Sequence, residues 1–185
     1  MELFVDTSKV MIFLLNMTNQ TFNKIIIAGD AARGKTTLAK KISEKLNLPY
    51  YSTDDALYEV KFTVFKNKQE ALDEMQEIYN KDKWIVEGTT HNLLQHGFAL
   101  ADLIIHLKFN SIFYQWHNLI RRHFKRKDKS FIATLLLLRH VFYKRFQLKY
   151  EKGQRTTAER IDPHKHKVIT LTSFKEIDEF VDSIA

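Results

Sequence analysis

A chain of 185 residues is long enough to bury one sizeable core, since single domains run to about 100–200 residues. Charged residues make up 28% of it, and no stretch approaches the roughly 18 consecutive apolar residues that cross a bilayer, so stable membrane insertion is not expected. It has no cysteine, which excludes disulfides, cysteine metal sites and thiol nucleophiles and fits a reducing, cytoplasmic compartment. The net charge of +7 calls for an anionic partner, but a phosphate ligand and a nucleic acid would both satisfy it.

In chain order, residues 1–22 read as an N-terminal extension ahead of one domain at 23–185. The extension holds a short apolar run at 10–15 without the small-residue cleavage site of a signal peptide. The β-branched run 24–28 ends at a glycine and reads as a strand buried on both faces of a parallel sheet. Leu38, Ile42 and Leu46 then recur at helical spacing, stopping at Asn47 before Pro49. A short strand is expected at 50–52, a helix around Leu72, Met75 and Ile78, and strands at 84–87 and 103–107. Two helices with basic faces follow, 111–124 (Ile112, Trp116, Leu119, Ile120) and 130–150 (Phe131, Leu135, Leu138, Phe142, Phe146). The aromatic residues Trp116, Phe131 and Phe142 lie on apolar stripes and read as core. A last strand at 167–171 precedes a helix opened by a capping box of Ser173 and Glu176, with Phe174, Ile177, Val181 and Ile184 on its apolar face. Strands alternating with helices imply a parallel sheet covered on both faces, with ligands at the carboxyl ends of the strands.

Between the first strand and the first helix stand Gly29, Asp30, Ala31, Ala32, Arg33, Gly34, Lys35 and Thr36, with Thr37 after them. They match the P-loop pattern G-x-x-x-x-G-K-[ST] without a mismatch. Such a loop wraps phosphates in backbone N–H groups, aided by the positive end of the following helix. Lys35 is expected to reach the β- and γ-phosphates and the Thr36 hydroxyl to ligate Mg2+, so ATP and Mg2+ are the expected ligands. Arg33 reads either as a phosphate contact or as an ordinary exposed loop residue. An acidic partner for the metal is sought at the strand ends, where Asp54, Asp55 and Glu87 lie; Asp54 and Glu87 are the metal candidates. Asp102 reads as a turn residue. His91 reads as an acceptor contact or, more ordinarily, as a surface residue, and His164 with His166 lacks the further ligands a metal site needs.

The P-loop at 29–37, Leu48 and Pro49 leading to Asp55, Ala56, Leu57 and Tyr58, the run Trp84, Ile85, Val86, Glu87 and Gly88, Ala101 with Asp102, and Arg121 with Arg122 together resemble the adenylate-kinase-like topology modulation proteins. The likeness runs from about Lys24 to the end of the chain. It implies an α/β P-loop NTPase fold of the nucleoside/nucleotide-kinase type, in three α/β/α layers. It also implies a five-stranded parallel sheet ordered 2-3-1-4-5, a substrate segment after strand two and an arginine-rich helical lid. Where that family usually has Leu-Asp-x-Leu and then an aromatic residue, this chain has Thr53, Asp54 and Asp55; where the third strand ends Asp-Gly-Asn, it has Glu87, Gly88 and Thr89. The acid and the glycine are kept.

The expected activity is therefore transfer of the ATP γ-phosphoryl group to a small-molecule acceptor held near Asp54, Asp55, Gly88 and Thr89, with Asp55 orienting or deprotonating an acceptor hydroxyl. Arg121 and Arg122 are the lid arginines expected to neutralise the transferring group, within a lid at 121–160 that also carries Arg126, Arg145, Arg155 and Arg160. A nucleic-acid-associated ATPase is the other reading, drawn from the basic stretch 121–152, and is less favoured. Base preference and oligomeric state are not legible in the sequence.

Overall fold

The computed structural model describes residues 21–30, 33–60, 64–89, 91–109, 139 and 156–184. In chain order the elements are β1 (Lys24–Gly29), α1 (Lys35–Leu46), β2 (Tyr50–Ser52), α2 (Thr53–Leu57), β3 (Tyr58–Val60), β4 (Val64–Phe65), α3 (Lys68–Tyr79), β5 (Trp84–Gly88), α4 (His91–Leu100), β6 (Leu103–Leu107), α5 (Thr157–Ile161), a 3₁₀ stretch (Asp162–Lys167), β7 (Val168–Leu171) and α6 (Phe174–Ser183). The expected helices at 111–124 and 130–150, and most of the expected lid, lie outside the described residues, as do residues 1–20.

Five strands form one parallel sheet in the order β2-β5-β1-β6-β7. Counting only these five along the chain, the order reads 2-3-1-4-5. The numbering shifts because β3 and β4 form a separate antiparallel hairpin that the sequence reading omitted. Ile25, Ile26 and Ile27 in the central β1 are fully buried, which is why that run is apolar without alternation. Alternate residues divide two cores. Ile25 and Ile27 face Leu38 and Ile42 of α1 and Ile177 and Phe180 of α6. Ile26 and Ala28 face Met75 and Tyr79 of α3, Leu94 and Phe98 of α4, and Ile161 of α5. Each fully buried isoleucine contributes about 1.5–3 kcal/mol of transfer free energy, so the three layers are held mainly by this strand and its neighbours.

Local signals end the elements where expected, with corrections. Asn47 adopts φ 52, ψ 47 and closes α1 as a left-handed cap. The box expected of Ser173 and Glu176 is half formed: the Ser173 hydroxyl accepts from the Glu176 N–H at 3.1 Å. The Glu176 carboxylate instead accepts from the Thr172 N–H and hydroxyl, each at 2.7 Å, because it is buried beneath the end of β7. A complete box sits at Thr156 and Glu159, opening α5. Phe174, expected on the apolar face of α6, is 41% exposed; it occupies the first turn, at the rim of the sheet rather than over it. Asp102 accepts from the N–H groups of Asn23 and Lys24, both at 2.9 Å, and so anchors β1 at the amino end of the sheet.

Candidate functional site

The carboxyl ends of β1, β2, β5 and β6 converge by register. Ser52 pairs with Glu87, Gly88 with Ala28, Ala28 with His106, and Gly29 with Leu107. From this edge the loop 29–36 turns into α1. Gly29 leaves β1 at φ 156, and a methyl group there would lie 2.7 Å from the Leu107 carbonyl oxygen, so only glycine fits. Gly34 takes φ 84, ψ 14 as the N-cap of α1, with no side-chain cap. Gly34 thus offers no side-chain oxygen to the first N–H groups of α1, and a helix N-terminus of that kind suits a phosphate anion. Ala31 and Ala32 lie outside the described residues.

Charged side chains brace this loop. The Lys35 ammonium, 7% exposed, donates to the Asp30 carbonyl at 2.9 Å and so lies folded across the loop. Arg33 is only 3% exposed, which overturns the reading of it as an ordinary exposed loop residue. Its guanidinium donates to the Phe109 carbonyl and to the Asp30 carboxylate, each at 2.9 Å. Arg33 therefore pins the loop to the chain leaving β6 and balances the charge of Asp30, a carboxylate that would otherwise repel phosphate. Thr37 is exposed on the first turn of α1.

The Thr36 hydroxyl donates to Glu87 Oε1 at 2.8 Å, and Glu87 is 4% exposed at the end of β5. A hydroxyl and a carboxylate side by side next to a phosphate loop are hard oxygen donors of the kind Mg2+ takes, and they fit that ion together with phosphate oxygens. Of the two acids expected to serve the metal, the structure brings Glu87 to Thr36. Asp54 lies on α2, where its field, after burial, raises the Tyr58 phenol above its ordinary pKa. Among the described residues no group of three or more His, Cys, Asp or Glu side chains gathers, so a divalent ion here would draw on the ligand's own oxygens.

The other expected acceptor residues line the adjoining edge. Asp55 is exposed and Asp54 half-buried, both in the first turn of α2, whose N-cap Ser52 accepts from the Asp54 N–H at 3.3 Å. Gly88 is bare for a reason: a methyl on it would overlap the Thr53 hydroxyl, and Thr53 is wholly buried. Thr89 is half-buried beside it. Arg160 bonds Gln95 at 3.2 Å, and His164 sits 6.2 Å from the Phe98 ring. Arg121, Arg122, Arg126, Arg145 and Arg155 lie outside the described residues.

Sequence reasoning missed His106. It is the penultimate residue of the fourth sheet strand, paired with Ala28 and 7% exposed. Burial first, then the Lys108 and Arg33 cations, push its pKa down to about 4, against a smaller opposing pull from Asp30. The available signal was a histidine inside an otherwise unbroken apolar strand, Leu103–Leu107.

The sheet order and the loop between its central strand and a helix define the P-loop class of α/β proteins, with the fold of the P-loop kinases. No protein-family model matches the chain, and no curated protein matches it in sequence. Among solved structures, a shikimate kinase from Bacteroides thetaiotaomicron superposes with a TM-score of 0.50 at 14% identity, over 88% of this chain and 95% of that one. An uncharacterized protein from Eubacterium ventriosum ATCC 27560 gives a TM-score of 0.50 at 14% identity, over 88% and 98%. A gluconokinase from Sinorhizobium meliloti 1021 gives 0.49 at 12% identity, over 88% and 89%. At these identities the likeness is one of fold.

Proposed function

We propose that this protein is an ATP- and Mg2+-dependent kinase of a small molecule. The observation that carries the reading is the Thr36–Glu87 hydrogen bond at the mouth of a complete P-loop, which assembles hard oxygen donors where the β- and γ-phosphates would lie. Mg2+ held there would neutralise charge on the phosphates. The chain's own groups do the rest. The N–H groups of the loop and of α1 bind the phosphates, and Lys35 exchanges its bond to the Asp30 carbonyl for phosphate oxygens. Asp55, exposed at the start of α2, orients the acceptor hydroxyl and takes its proton as the acceptor oxygen bonds to the γ-phosphorus. The bond from the γ-phosphorus to the bridging oxygen breaks, and ADP leaves. Arg121 and Arg122 are the proposed lid arginines, Gly88 and Thr89 the floor of the acceptor site, and the cytoplasm the place of action. The resemblance to topology modulation proteins stays part of this proposal.

The test is ATP consumption at millimolar Mg2+ with pooled nucleosides, nucleotides and hydroxylated metabolites, beside Lys35→Ala and a parallel arm with DNA. Acceptor-stimulated ADP formation that disappears in the variant supports the kinase, and dividing the pool names the acceptor. Stimulation by DNA alone would sink the kinase reading.

A further inference from the structure

The four variable positions of the phosphate loop begin with Asp30 and end with Arg33, and the pattern that defines such a loop assigns no task to either. In this chain the two side chains meet across the loop, with Arg33 donating to the Asp30 carboxylate at 2.9 Å. Their exposures are unequal, 3% for Arg33 and 35% for Asp30. A guanidinium so deeply buried is tolerated only with a paired charge and well-placed hydrogen bonds. Its bond to the Phe109 carbonyl at 2.9 Å adds a rigid anchor, because Phe109 is 5% exposed and belongs to the core around Ile27 and Leu107. The Phe109 ring packs at 4.9 Å against that of Phe174, which in turn adjoins Gly34.

Asp30 is held at two points, its carboxylate by Arg33 and its backbone carbonyl by the Lys35 ammonium. Whatever fixes Asp30 therefore also fixes the place from which Lys35 departs for phosphate. A carboxylate in a loop that wraps a polyanion opposes binding, and it does so strongly where the site is partly shielded from water. A guanidinium drawn off to phosphate would leave that carboxylate bare beside the same phosphate. We propose that Arg33 is a positioning residue that does not itself contact phosphate: it silences the Asp30 carboxylate and pins the loop to Phe109, so that a loop carrying an acid accepts a polyanion. This inference rests on the P-loop reading above.

The test titrates the full chain, with Mg2+, against inorganic tripolyphosphate and a non-hydrolysable ATP analogue. Arg33→Gln is expected to weaken both by about tenfold or more, the effect of one bared charge beside a polyanion. Adding Asp30→Asn to Arg33→Gln removes that charge and is expected to bring both ligands back to within about threefold of the unaltered chain. A phosphate contact or a backbone anchor lost with Arg33 is not replaced by changing Asp30, so a double variant weaker than that limit overturns the proposal. So does an Arg33→Gln chain that binds both ligands as tightly as the unaltered one. Urea unfolding of each variant accompanies the titrations, and the double variant is the milder change because it leaves neither charge without its partner. If Arg33→Gln alone fails to fold, the double variant decides by the same threefold limit. If both fail to fold, the pair serves stability alone and the proposal is overturned. An unaltered chain that binds neither ligand takes down the P-loop reading, and this inference with it. If the unaltered chain binds both while the variants depart from the stated pattern, only the role of Arg33 is lost.

Discussion

Glu87 and Asp54 were equivalent candidates as letters, both acids at the ends of strands that run to the same edge. They differ once β5 lies beside β1, because the Glu87 side chain then meets Thr36 at 2.8 Å, while Asp54 sits in the first turn of α2. Glu87→Gln removes one of the two oxygen donors offered to the ion and is therefore expected to weaken the apparent Mg2+ affinity of the nucleotide complex by at least about 10-fold, the lower end of what even an outer partner contributes. Asp54→Asn should leave it nearly unchanged. Titrating nucleotide binding with Mg2+ separates the two, and an equal loss in both variants would return Asp54 to the metal. Gly88 gives a stability prediction at the same scale. Its missing Cβ makes room for Thr53, a stiff β-branched side chain that is wholly buried and has nowhere to move. Gly88→Ala should cost about 1–3 kcal/mol by overpacking. Adding Thr53→Ala should recover part of that loss in urea unfolding, since residues in contact are not additive.

At the scale of elements, helix ends were legible where one residue type has one backbone use. Asn47 before Pro49 marked the end of α1, and the structure places Asn47 in the left-handed region at φ 52. Asn47→Ala should cost about 1–2 kcal/mol, the penalty of a Cβ in that conformation, whereas Asn47→Gly should be near neutral; thermal unfolding decides. Short elements were not legible. Helix α2 has five residues and β4 has two, less than the length at which a period can be recognised. Helix α4 was not among the expected elements, and Gly97 lies inside it. Only the fold explains that glycine: a methyl there would overlap the Tyr79 ring, and Tyr79 in turn donates to the Leu93 carbonyl at 2.9 Å. The cap of α6 was half right because Glu176 had a competing partner in Thr172, which local spacing does not weigh.

At the scale of the whole molecule, His106 couples stability to pH. Its pKa in the folded chain lies near 4, below the value of about 6.5 of an unfolded histidine. Between those values the unfolded chain binds more protons, so stability rises with pH there and is lost as pH falls from about 6.5 towards 4. The slope from one such group approaches about 1.4 kcal/mol per pH unit. Urea unfolding between pH 7 and 4 is expected to show this loss, and His106→Asn to flatten it; an unchanged slope would locate the acid sensitivity elsewhere. The groups facing His106 are Lys108 and Arg33, which hold it neutral, and Asp30, which opposes them.

The sequence alone was sufficient for the class of fold and for the phosphate loop. An apolar strand, a glycine-bounded loop with Lys35 and Thr36, and a capped helix are contiguous, and contiguous residues interact through local backbone geometry that spacing encodes. Tertiary structure alone decided everything that depends on neighbours distant in the chain. The partner of Thr36 is 51 positions away in Glu87, and the anchor of Arg33 is 76 positions away at Phe109. The aromatic pair beside Gly34 joins residues on separate elements, and His106 became a buried neutral group only when β6 lay between β1 and β7. Register and packing set those contacts, and neither can be read from the order of residues in a single stretch of chain.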